Sequence, residues 1–332
     1  MLITELDAWI LHHPLKEPFR PSWVPGYTAT NSSAVIYRLR SDSGLEGWAG
    51  GVAFADEAKG PVNLLRAYML GIDAEDTDEI YGRLRSAYQT LGVRVWFAEV
   101  AVWDLLAKAQ KRSISELLGG TRDRMRCYAS TGELRAPDEA ASHARRVIDQ
   151  GFTGIKIRTR HPTIAEDLAM VQAVREAIGP DVALMCDANQ AWRVDAFAKG
   201  PVWDLDRAIE TAKGMEEFGV EWLEEPLEMF DFDGYVQLRN KTSTPIAAGE
   251  LHGDPGLVDL LMDRGGVDII QPDLVMTGGF TGAGRIAKRA QENGLAFAPH
   301  TWTNGLGLAA NLQLAASADN CTWVEYPYDP PG

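Results

Sequence analysis

The segment GFTGIKIRTRHPTIAEDLAMVQAVREAIGPDVALMCDANQ, residues 151–190, holds one complete strand–helix–strand unit, and its reading decides the fold. Gly154 to Arg158 is a short, largely apolar run ending in charge. Thr163 to Ile178 repeats apolar residues at helical spacing, and Gly179-Pro180 stops that helix before a second apolar run, Val182 to Asp187. Outward from this unit the pattern recurs. Strands are expected at Arg126–Ser130, Gly154–Arg158, Val182–Asp187, Val220–Glu224, Pro245–Glu250, Val267–Asp273, Leu295–His300 and Cys321–Glu325. Helices are expected at Asp138–Gln150, Thr163–Ile178, Asp204–Phe218 and Phe280–Asn293, each closed by glycine. Alternating units in this number predict an α/β fold, a (β/α)8 TIM-type barrel whose active site lies at the C-terminal ends of its strands. Residues Arg193 to Trp203, with Gly200-Pro201, read as a long loop over that rim.

The first third of the chain has a different rhythm. Residues 2–10 and 33–40 alternate like half-exposed strands, with Asp42-Ser43-Gly44 as a turn. From Asp78 the period becomes helical: Ile80, Leu84 and Tyr88 share a face, and Val95 to Ala109 forms a second run. A short helix through Ser115–Leu118 ends at Gly119-Gly120. This divides the chain into an α+β capping domain, 1–120, and a barrel, 121–332.

Composition narrows the partners. With 47 acidic and 32 basic residues among 332, the net charge is -15, which repels nucleic acid and anionic membrane surfaces. Charges or glycines interrupt every apolar run before it reaches the roughly 18 residues of a membrane span. Cys127, Cys186 and Cys321 are far apart and encode neither a disulfide framework nor a thiolate zinc site, so a reducing, cytoplasmic setting is expected. The N-terminus has no signal-peptide pattern.

The expected strand ends carry the chemistry: Lys156 and Arg158, then Asp187, Glu224, Glu250, Asp273, His300 and Glu325. Carboxylates gathered by neighbouring strands repel one another unless a cation compensates, and hard oxygen ligands select Mg2+, with Mn2+ as a substitute. Asp187, Glu224 and Glu250 are the candidate metal ligands. His300 is the candidate base, because imidazole titrates near neutrality, and Asp273 would fix its tautomer.

These residues, with Ala98–Lys108 and Leu117-Leu118-Gly119-Gly120, resemble the enolase superfamily in its mandelate racemase branch, across both expected domains. Lys156-Ile157-Arg158 resembles that branch's KxK motif, Asp187-Ala188-Asn189, Glu224-Glu225-Pro226 and Gly249-Glu250 its metal ligands, and Asp273 with His300 its Asp-His dyad. The muconate lactonizing branch would carry a lysine base within Gln271–Met276, and none is there. The resemblance implies abstraction of the proton next to a carboxylate, the resulting enediolate being held by the metal, with Glu325 donating a hydrogen bond to it. It also implies a small carboxylate substrate, of the acid-sugar kind, and a homo-oligomer between dimer and octamer.

Arg158 departs from the second lysine of the motif. It suits a clamp and not a base, since arginine keeps its proton. That favours dehydration to a 2-keto-3-deoxy acid, with Lys156 steadying the substrate. Epimerisation, racemisation and lactone cycloisomerisation share the first step and remain alternatives, as does a non-catalytic metal-binding relative. The loop Phe19 to Tyr27 is the expected lid, with Phe19, Arg20, Trp23 and Tyr27 as substrate contacts. Asn189, His252, Trp302 and Thr303 complete the expected pocket. His12-His13, at adjacent positions ending the first strand, face opposite ways and read as structural. The chain stops at Pro330-Pro331-Gly332, where relatives continue toward the cap.

Overall fold

The computed structural model describes residues 1–53, 57, 59–193 and 199–329. Three antiparallel strands open the chain: β1 (Ile3–Phe19), β2 (Ala29–Ser41) and β3 (Glu46–Val52). The β1–β2 ribbon is longer than the sequence alternation suggests. Its far half is exposed on both faces, so no apolar period marks it. His12 and His13 therefore lie inside the ribbon opposite Ser33 and Ser32, and not at a strand end. Helices follow at Val62–Met69, Thr77–Leu91, Trp96–Gln110 and Ile114–Leu117, the last closed by a Ser113–Glu116 capping box. The third strand and the first helix were not legible in the sequence. β3 packs against helix Trp96–Gln110 so closely that a Cβ on Gly47 would lie 1.9 Å from the Ala101 carbonyl oxygen. Glycine is required there by contact.

Eight parallel strands then form one sheet: β4 (Cys127–Ser130), β5 (Gly154–Arg158), β6 (Ala183–Asp187), β7 (Trp222–Glu224), β8 (Ile246–Ala248), β9 (Ile269–Ile270), β10 (Ala296–Phe297) and β11 (Val324–Pro327). Their order is β10-β9-β8-β7-β6-β5-β4-β11, and a bridge between Phe297 and Cys321 joins the two edges, closing a TIM-type barrel. Among the described residues, helices follow the first seven strands, at Pro137–Asp149, Ile164–Ile178, Leu205–Met215, Phe232–Arg239, Pro255–Asp263, Gly279–Glu292 and Gly305–Ser317. Inward-facing Tyr128, Met185, Trp222, Ala247, Ile269, Ala298 and Trp323 pack together as a plug beneath the mouth.

Three positional expectations need adjustment. β8, β9 and β10 are only two or three residues long, so Glu250, Asp273 and His300 stand on the loops beyond them. Gly249, at φ 133°, and the prolines at 272 and 299, which lack an N–H, end the ladders early. Of the expected rim loop 193–203, residues 194–198 lie outside the described residues. Trp203 at its end is buried, its N–H donating to Gln190 Oε1 at 2.9 Å. The three cysteines are free. No helix among the described residues is long and apolar enough to cross a membrane.

Candidate active site

Asp187 ends β6 directly opposite Glu224 at the end of β7, and the turn at Gly249 swings Glu250 toward them. One carboxylate oxygen from each of the three lies within 4.8 Å of the others. Burial, foremost, raises the pKa of Asp187 and of Glu250, and the charge of Glu224 on Asp187 and of Asp187 on Glu250 adds to it. Three crowded oxygen donors, two of them buried and Glu250 partly so, fit a hard divalent cation, which would supply the charge that this crowding calls for.

Two cations of the chain itself flank the triad. Lys156 Nζ is 2.5 Å from Glu224 Oε1, 2.8 Å from Glu325 Oε1 and 3.5 Å from Asp187 Oδ2, with no exposed surface. Burial works to lower its pKa, but the carboxylates of Glu224 and Glu325 outweigh burial and hold the ammonium charged. Arg158, across the β5–β6 register from Asp187, pairs with Asp187 Oδ2. It also donates to Thr131 O at 2.5 Å, Ser130 Oγ at 3.2 Å and Asn189 Oδ1 at 3.2 Å. Its guanidinium lies 5.2 Å from the Trp23 ring and 5.3 Å from the Trp302 ring. Glu224 is steadied from below by the indole N–H of Trp222 at 2.9 Å and by Gln271 at 2.8 Å.

Opposite Lys156, His300 Nδ1 is 3.0 Å from Asp273 Oδ2, and Nε2 is 3.4 Å from Glu250 Oε2. Asp273 is itself fixed by Asn311 Nδ2 at 2.9 Å and the Val275 N–H at 3.1 Å. Burial pulls the His300 pKa down, but Glu250, Glu325 and Asp273 together push it up to about 10. Glu325, for which the resemblance implies a donor role, lies 2.8 Å from Lys156 Nζ. Burial raises its pKa, yet Lys156 and His300 draw it down to about 2, and Glu325 accepts the Thr301 N–H at 2.8 Å.

The lid closes on an aromatic wall. Phe19 stacks on Trp302 at 6.1 Å, Trp23 meets Trp302 edge-on at 4.9 Å, and Ser22 Oγ donates to Asn189 Oδ1 at 3.1 Å. Asn189, in the left-handed region at φ 46°, thereby joins lid and barrel. The other expected pocket residues have different surroundings. Arg20 is exposed, its backbone N–H on Glu133 Oε1, and Tyr27 is 54% exposed. His252 packs against Phe230 and Phe232 and binds the Met229 carbonyl at 2.9 Å, so it holds a loop. Thr303 is half-buried, its hydroxyl 3.5 Å from the Asn304 carbonyl oxygen. Ser130, Ser22 and Asn311 were missed. Ser130, which also accepts from Trp302 Nε1 at 2.8 Å, ends the first barrel strand and was open to the strand-end reading. Asn311 lies mid-helix and carries no local signal.

A barrel with a capping domain and an acidic triad at its mouth defines the class, and comparison with known proteins defines the family. The chain matches the model for the mandelate racemase / muconate lactonizing enzyme N-terminal domain over residues 7–119 and the enolase C-terminal domain-like model over 139–332. It belongs to the mandelate racemase / muconate lactonizing enzyme family of the enolase superfamily. D-galactarolactone cycloisomerase of Agrobacterium fabrum is 34% identical over 332 residues, covering 96% of this chain and 83% of that protein. L-Ala-D/L-Glu epimerase of Bacillus subtilis is 27% identical, covering 98% and 88%. The structure of an L-talarate/galactarate dehydratase variant liganded with Mg and L-glucarate has a TM-score of 0.84 and 29% identity, covering 98% and 82%. The relatives are thus enzymes, lyases and isomerases both.

Proposed function

We propose that this chain is an acid-sugar dehydratase: it removes the proton α to a carboxylate and expels the hydroxyl of the neighbouring carbon as water. One observation carries the reading. Among the described residues the mouth has one acid–base pair, Asp273–His300, while both groups that might oppose it are occupied. Inversion at one carbon needs proton-transfer groups on both faces. Lys156 is locked as an ammonium among three carboxylates, and Arg158 does not give up its proton. Chemistry at a single face is left.

In this mechanism His300 Nε2 takes the α-proton while Asp273, on Nδ1, fixes the tautomer and steadies the imidazolium. The same imidazolium returns its proton to the departing β-hydroxyl. One water leaves, and the enol product tautomerises to a 2-keto-3-deoxy acid. Lys156 and Arg158 hold Glu224 and Asp187 in place. Asp187, Glu224 and Glu250 would hold a divalent cation, Mg2+ or Mn2+, which would supply positive charge against the negative charge that develops on the substrate and would offset the charge of Glu250 at His300.

A lactone cycloisomerase is the second reading, favoured by the 34% identity to D-galactarolactone cycloisomerase. It uses the same one-faced proton removal. Proton NMR in deuterated water with Mg2+, over a panel of aldonic acids, aldaric acids and their lactones, separates the two. Loss of the α-proton with accumulation of a 2-keto-3-deoxy acid from the free acids supports dehydration, whereas the same outcome from the lactones alone, with the ring carboxylate as leaving group, supports cycloisomerisation. Exchange at the α-carbon with connectivity retained overturns the dehydratase reading.

A further inference from the structure

Lys156 and Arg158 alternate onto one face of β5, and Arg160 follows two residues beyond the strand's end. Each successive cation stands higher in the barrel. Lys156 reaches the triad, Arg158 pairs with Asp187, and Arg160, one step beyond, donates to the Asn189 carbonyl at 2.6 Å. Two strand residues advance about 7 Å, close to the reach of an extended six-carbon chain.

Arg160 differs from its neighbours in what neutralises it. It is 5% exposed, its Nε has no hydrogen-bond partner, and among the described residues no carboxylate pairs with it. Other arginines on this side of the barrel have acids: Arg158 has Asp187, Arg207 has Asp167 at 3.1 Å and Arg135 has Asp329 at 2.9 Å. A buried guanidinium without an anion is costly, and a ligand anion relieves the cost. Lid and rim converge on this group. A Cβ on Gly200 would lie 2.7 Å from Pro25 Cγ and 3.6 Å from Arg160 Nε. Arg20, the lid cation expected to contact substrate, is exposed.

We propose that Arg160 binds a second carboxylate at the end of the substrate remote from His300, so that the substrate class is a dicarboxylic acid sugar and not a monocarboxylic one. The inference rests on the reading of the mouth as an acid-sugar site. Its test is binding, which is independent of turnover. Dissociation constants are measured by calorimetry for galactarate and glucarate, and for galactonate and gluconate, on the Mg2+-loaded His300→Asn protein with Arg160 intact and with Arg160→Gln.

With Arg160 intact, the hexarates bind more tightly than the matching hexonates. Arg160→Gln weakens hexarate binding about 10- to 100-fold, the worth of a charge-assisted pair, and leaves hexonate binding nearly unchanged. Equal weakening of both classes, or no preference for hexarates when Arg160 is present, overturns the inference. So does failure of every hexarate to bind. Should Arg160→Gln not fold, Arg160→Lys, which keeps the charge without the planar fork, carries the test by the same ratio. The wild-type NMR result judges the dehydratase reading separately: turnover of hexonates alone would keep that reading and overturn this one.

Discussion

His300 at the barrel mouth and His143 on the outer helix Pro137–Asp149 both stand beside an aspartate away from bulk water, yet their protonation is driven in opposite directions. His300 is pushed up to about 10 against the pull of burial, because Glu250, Glu325 and Asp273 surround it. His143 is drawn down to about 4, by burial first and by Arg135 next, while Asp329, 3.6 Å away, only partly opposes. Arg135 already holds Asp329 at 2.9 Å, so little of that negative charge is left for His143. An adjacent acid therefore says little about a histidine until the acid's own partners are known.

Buried carboxylates repeat the contrast. Glu99, wholly buried between cap and barrel, accepts the Trp103 indole at 2.8 Å and the Phe280 and Thr281 N–H groups at 2.8 and 2.9 Å. It caps the helix Gly279–Glu292, and Gly279, at φ 60°, leaves the room it needs. Each of these donors points at Glu99, with Trp103 Nε1 shared with Thr281 Oγ1 at 3.3 Å, whereas the mouth carboxylates crowd one another around a gap in charge. Burial with satisfied donors is architecture; burial with unbalanced charge is chemistry.

The strongest test of the contrast is to remove each histidine. His300→Asn is expected to lower turnover about 10³-fold with the fold retained by circular dichroism, the usual worth of a general base, whereas His143→Gln leaves turnover unchanged. Comparable losses in the NMR assay would erase the distinction. Glu99→Gln sets an amide N–H against the helix N–H groups and is expected to cost about 3 kcal/mol in urea unfolding, with turnover per folded molecule preserved.

Cation binding should be visible without turnover. Mg2+ at about 100 times its dissociation constant is expected to stabilise the fold by about 2.7 kcal/mol, read as a rise in Tm, and Asp187→Asn should abolish the rise. A full rise in Asp187→Asn would remove the triad from consideration. The smallest effect is pH-dependent. Because the folded pKa of His143, about 4, lies below its ordinary 6.5, the unfolded chain takes up the proton first. The stability linked to this neutral ring is complete above about pH 6.5 and is lost as pH falls toward 4. His143→Gln should flatten that part of the stability profile by about 1–2 kcal/mol.

Sequence period and turn residues located all eight barrel strands, and position along each strand pointed to Lys156, Arg158, Asp187 and Glu224, because a strand's repeat and its ending are local properties. Where endings depend on the ladder, as at β8 to β10, the sequence overran. What each side chain would touch was not local. Asn311 reaches Asp273 across 38 residues, and Ser22 reaches Asn189 across 167. The binding of His252 to the Met229 carbonyl, the occupation of Lys156 by three carboxylates, and the lack of any such partner for Arg160 among the described residues were decided by the closed barrel and the docked lid. Residue types and their spacing state which charges a rim will carry; only packing decides which of them neutralise each other and which are left for a ligand.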